Sequence, residues 1–191
     1  MIIYYTDGFE SGREESHRLL EKALAAYTGD EKKAKKLIGS LKKGEHGKPY
    51  IEGFCCFSIS HTGSIWAVLI ADRECGLDIQ LGRKTDIKAI SERWFAPEDA
   101  EKTAALIEKN PSEAIDTFFR IWTRREALTK AMGSTVYDPD LPAVSGGETL
   151  INGNRYVIRD IRLPGMPELY AAMCIHKTES VSEPGFKRLY Q

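Results

Sequence analysis

Cys75-Gly-Leu-Asp-Ile-Gln80 is the stretch on which the interpretation of this chain depends. It follows a hydrophobic run, Ile65–Ala71, and its apolar and polar residues alternate as in a half-buried strand. Since successive side chains of a strand point to opposite faces, Asp78 and Gln80 share one face. A carboxylate and an amide oxygen on one face can hold a hard cation. A strand with an ordinary hydrated polar face explains the same pattern.

Composition and charge set the class of protein before any motif is considered. The chain has 191 residues, 42% hydrophobic and 29% charged, which fits a soluble globular protein. A net charge of −1 gives no overall field to attract nucleic acid or a membrane surface. No apolar run is long enough to span a membrane, and the N-terminus lacks a basic region and a cleavage site. With no Cys-x-x-Cys pair among its four cysteines, we expect reduced thiols in a cytoplasmic protein.

The order of the predicted elements indicates an α+β fold. A first strand at residues 2–5 precedes a helix over about residues 12–27 and a lysine-rich helix to about residue 41. Strands at residues 54–60 and 65–71 form a hairpin across His61-Thr-Gly-Ser64. We predict that the Asp78 strand joins this hairpin as the third strand of a meander.

The second part of the chain repeats the order of helices, hairpin and strand. Helices are predicted over about residues 97–108 and 112–132, the second ending at Gly133, and a hairpin turns at Asn152-Gly-Asn154. The last strand covers residues 169–175. We therefore expect two similar halves, residues 1–72 and 73–191, with a loose tail from about residue 177.

The long predicted helix carries a second group of chemically capable residues. Phe118, Trp122, Glu126 and Lys130 lie four residues apart and form one column. Because the column begins apolar, Glu126 should sit where the core ends and be partly desolvated. An ordinary Glu–Lys pair on a solvated face is the alternative.

A divalent metal site would follow if Glu126 met the Asp78 strand. Two carboxylates and the Gln80 amide could then surround Mg²⁺, which keeps some of its roughly six positions for water and phosphate. Lys48, His61 and Lys130 would supply positive charge to a phosphate ligand.

Four ordered pieces of sequence carry a family resemblance. They are Gly47-Lys-Pro49, Phe57-Ser-Ile-Ser-His61, Gly76-Leu-Asp-Ile-Gln80 and Trp122-Thr-Arg-Arg-Glu-Ala-Leu-Thr-Lys-Ala-Met-Gly133. Together they resemble the 4′-phosphopantetheinyl transferases of the surfactin-synthetase-activating (Sfp) type. The resemblance implies the α+β fold of that family, with two pseudo-symmetric halves in one chain.

The resemblance also implies a reaction. A serine hydroxyl of an acyl or peptidyl carrier protein attacks the β-phosphate of coenzyme A, phosphopantetheine moves to that serine, and 3′,5′-ADP leaves. Asp78 corresponds to a metal-binding aspartate, and Glu126 to a metal ligand that also deprotonates the serine. Gln80 would be the third protein position on Mg²⁺. With two halves in one chain, a monomer would be self-sufficient.

Further residues correspond to the coenzyme A contacts of the family. Lys130 matches the phosphate-binding lysine, and Ser60 with His61 matches a Ser-His pair on the coenzyme A phosphates. Lys48 matches the lysine of the Gly-Lys-Pro loop. Glu126, Lys130 and His61 are the expected catalytic residues.

Several positions depart from the family pattern. Gln80 stands where many relatives carry a second acidic residue, so a water could replace it on the metal. Arg125 stands where lysine is usual, and Thr62 where serine is frequent. Because the N-terminal region is short, we take Arg13 as the residue for the adenosine 3′-phosphate, with Arg18 as second choice.

Two other functions fit the same residues. A degenerate relative could bind coenzyme A or a carrier without catalysis, and a metal-dependent phosphohydrolase would cleave coenzyme A with no carrier. The motifs leave the carrier unidentified. Trp94 and Phe95 are candidates for an exposed apolar patch that a carrier helix could use, with core packing as the alternative for Trp94.

Overall fold

The computed structural model describes residues 1–44, 46–178 and 180–189, which form strands and helices in an α+β arrangement. The strands are β1 (Ile2–Thr6), β2 (Lys42–Lys43), β3 (Pro49–Tyr50), β4 (Cys56–Thr62), β5 (Ile65–Ala71), β6 (Cys75–Leu81), β7 (Glu148–Ile151), β8 (Asn154–Asp160), β9 (Leu169–His176) and β10 (Gly185–Arg188). The helices are α1 (Arg13–Thr28), α2 (Glu31–Gly39), α3 (Ile87–Trp94), α4 (Pro97–Ile107) and α5 (Pro111–Met132).

Two four-stranded sheets make the framework, with the short β2–β3 pair beside them. The first sheet has the order β10-β1-β5-β4, with β10 parallel to β1 and the other neighbours antiparallel. The second has the order β6-β9-β8-β7 and is antiparallel throughout. Strands β4 and β6 are therefore edges of different sheets.

The hydrophobic core lies in three layers. Between the sheets, Leu69 of β5 packs in one cluster with Leu77 and Ile79 of β6. The outer face of the first sheet is covered by α1 and α2, and that of the second sheet by α5 with α3 and α4. Alternate side chains of each central strand point into opposite core layers, which explains why β5 is apolar along its whole length.

Most predicted elements are confirmed. The two hairpins form as expected, and the predicted helices match α1, α2, α4 and α5 within about two residues. The long helix ends at Gly133, which adopts a left-handed conformation and donates its N–H to the carbonyl of Thr129. The division into residues 1–72 and 73–191 and the pseudo-symmetry of the halves stay predictions.

The predicted three-stranded meander is wrong. Strand β6 pairs with β9, so that Asp78 is opposite Ala172. Its other edge faces β4, where hydroxyl side chains take the place of a backbone ladder. Three hydroxyls accept hydrogen bonds from β6 N–H groups: Ser58 Oγ from Leu77 (3.0 Å), Ser60 Oγ from Ile79 (3.2 Å) and Thr62 Oγ1 from Leu81 (3.2 Å). We call these three contacts the hydroxyl seam.

The C-terminal segment also differs from the expected loose tail. Gly185–Arg188 forms β10, which pairs in parallel with β1 and extends the first sheet. The short Ser/Glu/Pro-rich stretch before it gave no periodic signal, and a four-residue strand is too short to show one. Across the described ranges, no helix combines the length and apolar character required to cross a bilayer.

Helix α5 lies directly on β6 because Gly76 has no side chain. A methyl group at Gly76 would lie 1.8 Å from the carbonyl oxygen of Ala127 and 2.6 Å from the amide nitrogen of Ala131. Lys48 also stabilises the packing of α5 on β6, since its ammonium donates to the carbonyls of Cys75 and Ala131, each at 3.1 Å. The close approach brings the side chains of α5 onto the Asp78 face of β6.

We predict that Gly76→Ala destabilises the protein by more than about 3 kcal/mol, because the added methyl meets backbone atoms that cannot move aside. Urea unfolding followed by circular dichroism measures the loss. Gly39→Ala is the matched control: nothing lies within 4 Å of its added Cβ, so stability should stay unchanged or rise by up to about 1 kcal/mol. Equal stability of Gly76→Ala and wild type would contradict the close packing of α5 on β6.

Candidate functional site

Asp78, Lys130 and Ser60 meet where β6, α5 and β4 converge. Lys130 Nζ lies 2.7 Å from Asp78 Oδ1 and 3.1 Å from Ser60 Oγ, and Ser60 Oγ donates to Asp78 Oδ1 at 2.9 Å. The Asp78 side chain is 9% exposed and that of Lys130 is 30% exposed. The ion pair is thus sheltered on the carboxylate side and open on the ammonium side.

Glu126 lies beside this pair, one helical turn before Lys130. Burial raises the pKa of Glu126 above its ordinary value, and the nearby Asp78 carboxylate raises it further, whereas Lys130 and Arg125 act in the opposite direction. The expected desolvation of Glu126 at the end of the apolar column is confirmed. The two carboxylates, far apart in sequence, interact electrostatically in the fold.

The donor set fits a hard cation in part. Two carboxylates that repel each other favour a bound cation, and their oxygens are of the type that Mg²⁺ prefers. Gln80 is on the same face of β6 as Asp78, and its amide nitrogen donates to the Leu81 carbonyl at 2.8 Å, which leaves the amide oxygen as an acceptor. Within residues 1–44, 46–178 and 180–189, no three His, Cys, Asp or Glu side chains are grouped to hold a metal.

Lys48 and Ser60, predicted to contact coenzyme A phosphates, are engaged within the protein. Ser60 is buried and its hydroxyl belongs to the hydroxyl seam. Lys48 uses two of the three donors of its ammonium on backbone carbonyls, as described above. Its third N–H is left for another acceptor.

His61 does not lie with the other predicted catalytic residues. It follows Ser60 in β4, so its side chain points to the opposite face, where its ring centroid is 5.1 Å from that of Phe9. Its cross-strand partner, Trp66, donates its indole N–H to Ser16 of α1. His61 therefore faces the α1 side of the first sheet, away from the side chains of Asp78 and Lys130, although its strand β4 runs alongside β6.

The two arginines proposed for the adenosine 3′-phosphate differ in their availability. Arg13 begins α1 and lines a surface cavity of about 530 Å³ at that end of the helix. Arg18 lines the same cavity, but its guanidinium makes two hydrogen bonds to Glu15, at 2.7 and 2.6 Å. Arg18 would have to give up this pairing to bind an anion, and the role of Arg13 toward a phosphate stays a prediction.

The expectation of an exposed patch at Trp94 and Phe95 is wrong for Phe95. Its ring is 8% exposed and stacks on Phe118 with centroids 5.4 Å apart. Trp94 is half-buried, between the guanidinium of Arg93 at 4.7 Å and the exposed ring of Tyr137 at 4.8 Å. Phe95 fills the core because it directly follows α3 next to the apolar face of α5.

Arg125 has a structural role that the sequence did not reveal. Its side chain is 2% exposed, and its guanidinium donates to three carbonyls of the segment after α5: Val136 at 3.2 Å, Asp138 at 2.8 Å and Leu141 at 3.5 Å. Burial lowers the pKa of Arg125 below its ordinary value. Only the planar, five-donor guanidinium can span three carbonyls in this way, so a lysine would not replace it.

The raised pKa of Glu126 gives a test by pH. The pKa of Glu126 is raised above its ordinary value of 4.5 in the folded state, so the folded protein binds this proton more tightly than the unfolded chain does. The free energy of unfolding therefore falls as the pH rises from about 4.5 through the raised pKa. We predict that Glu126→Gln, without divalent cations, has a higher Tm than wild type at about pH 7.5 and an equal Tm at about pH 4. Thermal unfolding in EDTA measures both. The exposed Glu101→Gln should show no difference at either pH, and a lower Tm of Glu126→Gln at pH 7.5 would contradict the desolvation.

The carbonyl contacts of Arg125 give a second test. We predict that Arg125→Lys lowers the free energy of unfolding by about 1.5–3 kcal/mol, because at least one charged hydrogen bond and its geometry are lost. Urea unfolding measures the change. Arg120→Lys, at an exposed position of α5, should have an effect below about 0.5 kcal/mol.

Comparison with known proteins identifies the segment that carries this site. Residues 74–145 match the family model of the 4′-phosphopantetheinyl transferase superfamily. The match runs from the start of β6 to beyond α5 and so includes Asp78, Glu126 and Lys130.

Individual relatives agree with this match. The 4′-phosphopantetheinyl transferase gsp of Aneurinibacillus migulanus is 32% identical over 99 residues, which cover 52% of this chain and 40% of the relative. AcpT of Escherichia coli K12 is 35% identical over 103 residues, 49% of each chain. The transferase ffp of Bacillus subtilis is 26% identical over 180 residues, 92% of this chain and 73% of the relative. The chain thus spans about half the length of the first two.

Proposed function

We propose that this chain, which matches the 4′-phosphopantetheinyl transferase superfamily over residues 74–145, transfers 4′-phosphopantetheine from coenzyme A to a serine of an acyl or peptidyl carrier protein. The reaction is Mg²⁺-dependent and releases 3′,5′-ADP, as in the Sfp type. One observation carries the proposal: the carboxylates of Asp78 and Glu126 come from separate elements and lie close enough to repel each other beside Lys130.

The charges of the site suit a diphosphate substrate. Mg²⁺ held by Asp78 and Glu126, with Gln80 or a water beside them, would neutralise charge on the diphosphate. Lys130 has used two of its three donors, on Asp78 and Ser60, and its 30% exposed ammonium can offer the third to a phosphate oxygen. Lys130 would stabilise the negative charge that develops on the leaving 3′,5′-ADP.

Glu126 is the residue best suited to remove the proton of the carrier serine. A serine hydroxyl is a weak nucleophile until a base takes its proton. The efficiency of a general base improves as its pKa approaches the working pH, and burial moves the pKa of Glu126 in that direction. Asp78 is occupied by two hydrogen bonds on Oδ1, which favours a fixed binding role for it.

Coenzyme A would extend from this site to the α1 side of the first sheet. His61 and Arg13 are on that side and are the proposed contacts for the adenosine phosphates, while Lys48 offers its third N–H near the end of α5. Under this proposal His61 binds phosphate and takes no part in proton transfer to the serine. We further propose that the protein acts as a cytoplasmic monomer.

A binding function without catalysis is the second candidate. It is favoured by Gln80, because the described residues supply only two acidic ligands for a metal. A neutral third donor binds a divalent cation more weakly than a carboxylate does.

The transfer reaction can be tested directly by mass spectrometry. Apo carrier proteins incubated with coenzyme A, Mg²⁺ and this protein should gain the mass of phosphopantetheine. We predict that Glu126→Ala lowers the rate by about 10²–10⁴-fold, through loss of the base and of a metal ligand, and that the exposed Glu101→Gln does not. Coenzyme A binding by calorimetry without transfer to any of several carriers would favour the binding function. Cleavage of coenzyme A in the absence of a carrier would favour a phosphohydrolase.

A further inference from the structure

The Ser60 hydroxyl has used its complete hydrogen-bonding capacity. Its two acceptor positions take the N–H of Ile79 at 3.2 Å and the ammonium of Lys130 at 3.1 Å, and its single proton goes to Asp78 Oδ1 at 2.9 Å. An incoming phosphate could bond to this hydroxyl only by breaking one of these contacts. The side chain is 5% exposed, which also separates it from ligands in solution.

The other members of the hydroxyl seam show what is special about Ser60. Ser58 and Thr62 accept the same type of N–H from β6, each from a residue 19 positions further along the chain, as Ser60 does. Ser58 is 3% exposed and matches Ser60 in burial. Neither Ser58 nor Thr62 makes a side-chain hydrogen bond to a carboxylate or an ammonium within the described part of the chain. Joining the sheets therefore requires only the bond that Ser60 accepts from the Ile79 N–H. Its bonds to Asp78 and Lys130 need another explanation.

We propose that Ser60 is a positioning residue that fixes the carboxylate of Asp78 and the ammonium of Lys130 for metal and phosphate binding, a role that rests on the function proposed above. The Ile79 N–H holds the hydroxyl on rigid backbone, because Ile79 is itself paired with Ala171 in the second sheet. The hydroxyl then holds Asp78 Oδ1.

The second oxygen of Asp78 is the one left for a cation. Oδ1 accepts from both Ser60 and Lys130, whereas Oδ2 has no hydrogen bond to any residue in the described ranges. Without the Ser60 hydroxyl, the carboxylate is held by the flexible Lys130 side chain alone. Its two oxygens can then exchange places, and the free oxygen no longer points in one direction.

The decisive measurement is the dissociation constant of Mn²⁺, used alone as a probe for Mg²⁺ and followed by electron paramagnetic resonance. We expect Ser60→Ala to raise it about 10–100-fold, the effect typical of losing a partner that orients a metal ligand. Ser58→Ala should change it less than about twofold, although it too loses one bond of the seam. Ser60→Thr should restore the affinity, because Thr62 shows that a threonine hydroxyl can serve in the seam.

Two results would overturn the proposal. Equal Mn²⁺ dissociation constants for Ser60→Ala and Ser58→Ala would show that Ser60 only connects the two sheets. A weaker binding of coenzyme A in EDTA by Ser60→Ala, with Mn²⁺ binding unchanged, would instead make Ser60 a phosphate ligand.

If the proposed metal-dependent function is wrong, the Mn²⁺ measurement on the wild type shows it. If the wild type binds no Mn²⁺ with or without coenzyme A, the metal part of that function fails, and crystal structures of the two alanine variants then decide the positioning role. Displacement of Asp78 Oδ1 from Lys130 in Ser60→Ala, but not in Ser58→Ala, supports it. An unmoved carboxylate in both variants refutes it.

Discussion

The hydroxyl seam is the interaction on which the arrangement of this protein depends. An edge strand presents a row of N–H groups, and leaving them unpaired inside a core costs free energy. Ser58, Ser60 and Thr62 satisfy the inward edge of β6 with side chains in place of a backbone ladder. A hydrogen bond through a serine or threonine side chain holds two strands further apart than a bond between backbone groups does. The two sheets therefore remain separate, and each keeps its own helical layer. The seam also decides that Asp78 lies against β4 and α5 together.

Close packing of α5 on the same strand completes the site at an electrostatic cost. Gly76 lets the helix approach β6 until Glu126 and Asp78 repel each other. Lys130 offsets part of the repulsion, and Arg125 acts on Glu126 in the same direction. Folding alone would be served better by an apolar residue at position 126, since a partly buried carboxylate that lacks a full partner is destabilising. A strained pair of acids at the junction of three elements is typical of a site kept for binding or catalysis.

The sequence predicted the elements well and their assembly less well, for physical reasons. The spacing of apolar residues and the caps at Asn110 and Gly133 are local signals, and they located α5 correctly. Ser58 and Ser60 alternate with apolar neighbours along β4, and both hydroxyls are buried against β6. Periodicity reports which side chains share a face and cannot say whether that face meets water or another strand's N–H groups. The partner of β6 and the role of Arg125 depend on contacts with other segments of the chain, which no local pattern records.

The separation of Ser60 from His61 constrains how any ligand could use both groups of residues. Neighbours in a strand point to opposite faces, so Ser60 lies with Lys130 and Asp78, while the exposed His61 lies on the other face beside Phe9. A ligand that reaches both must pass around the C-terminal end of β4 near Thr62, where the seam ends and the chain turns into β5. A long, flexible molecule with phosphates at two separate points can follow such a path, whereas a compact one can contact only one face.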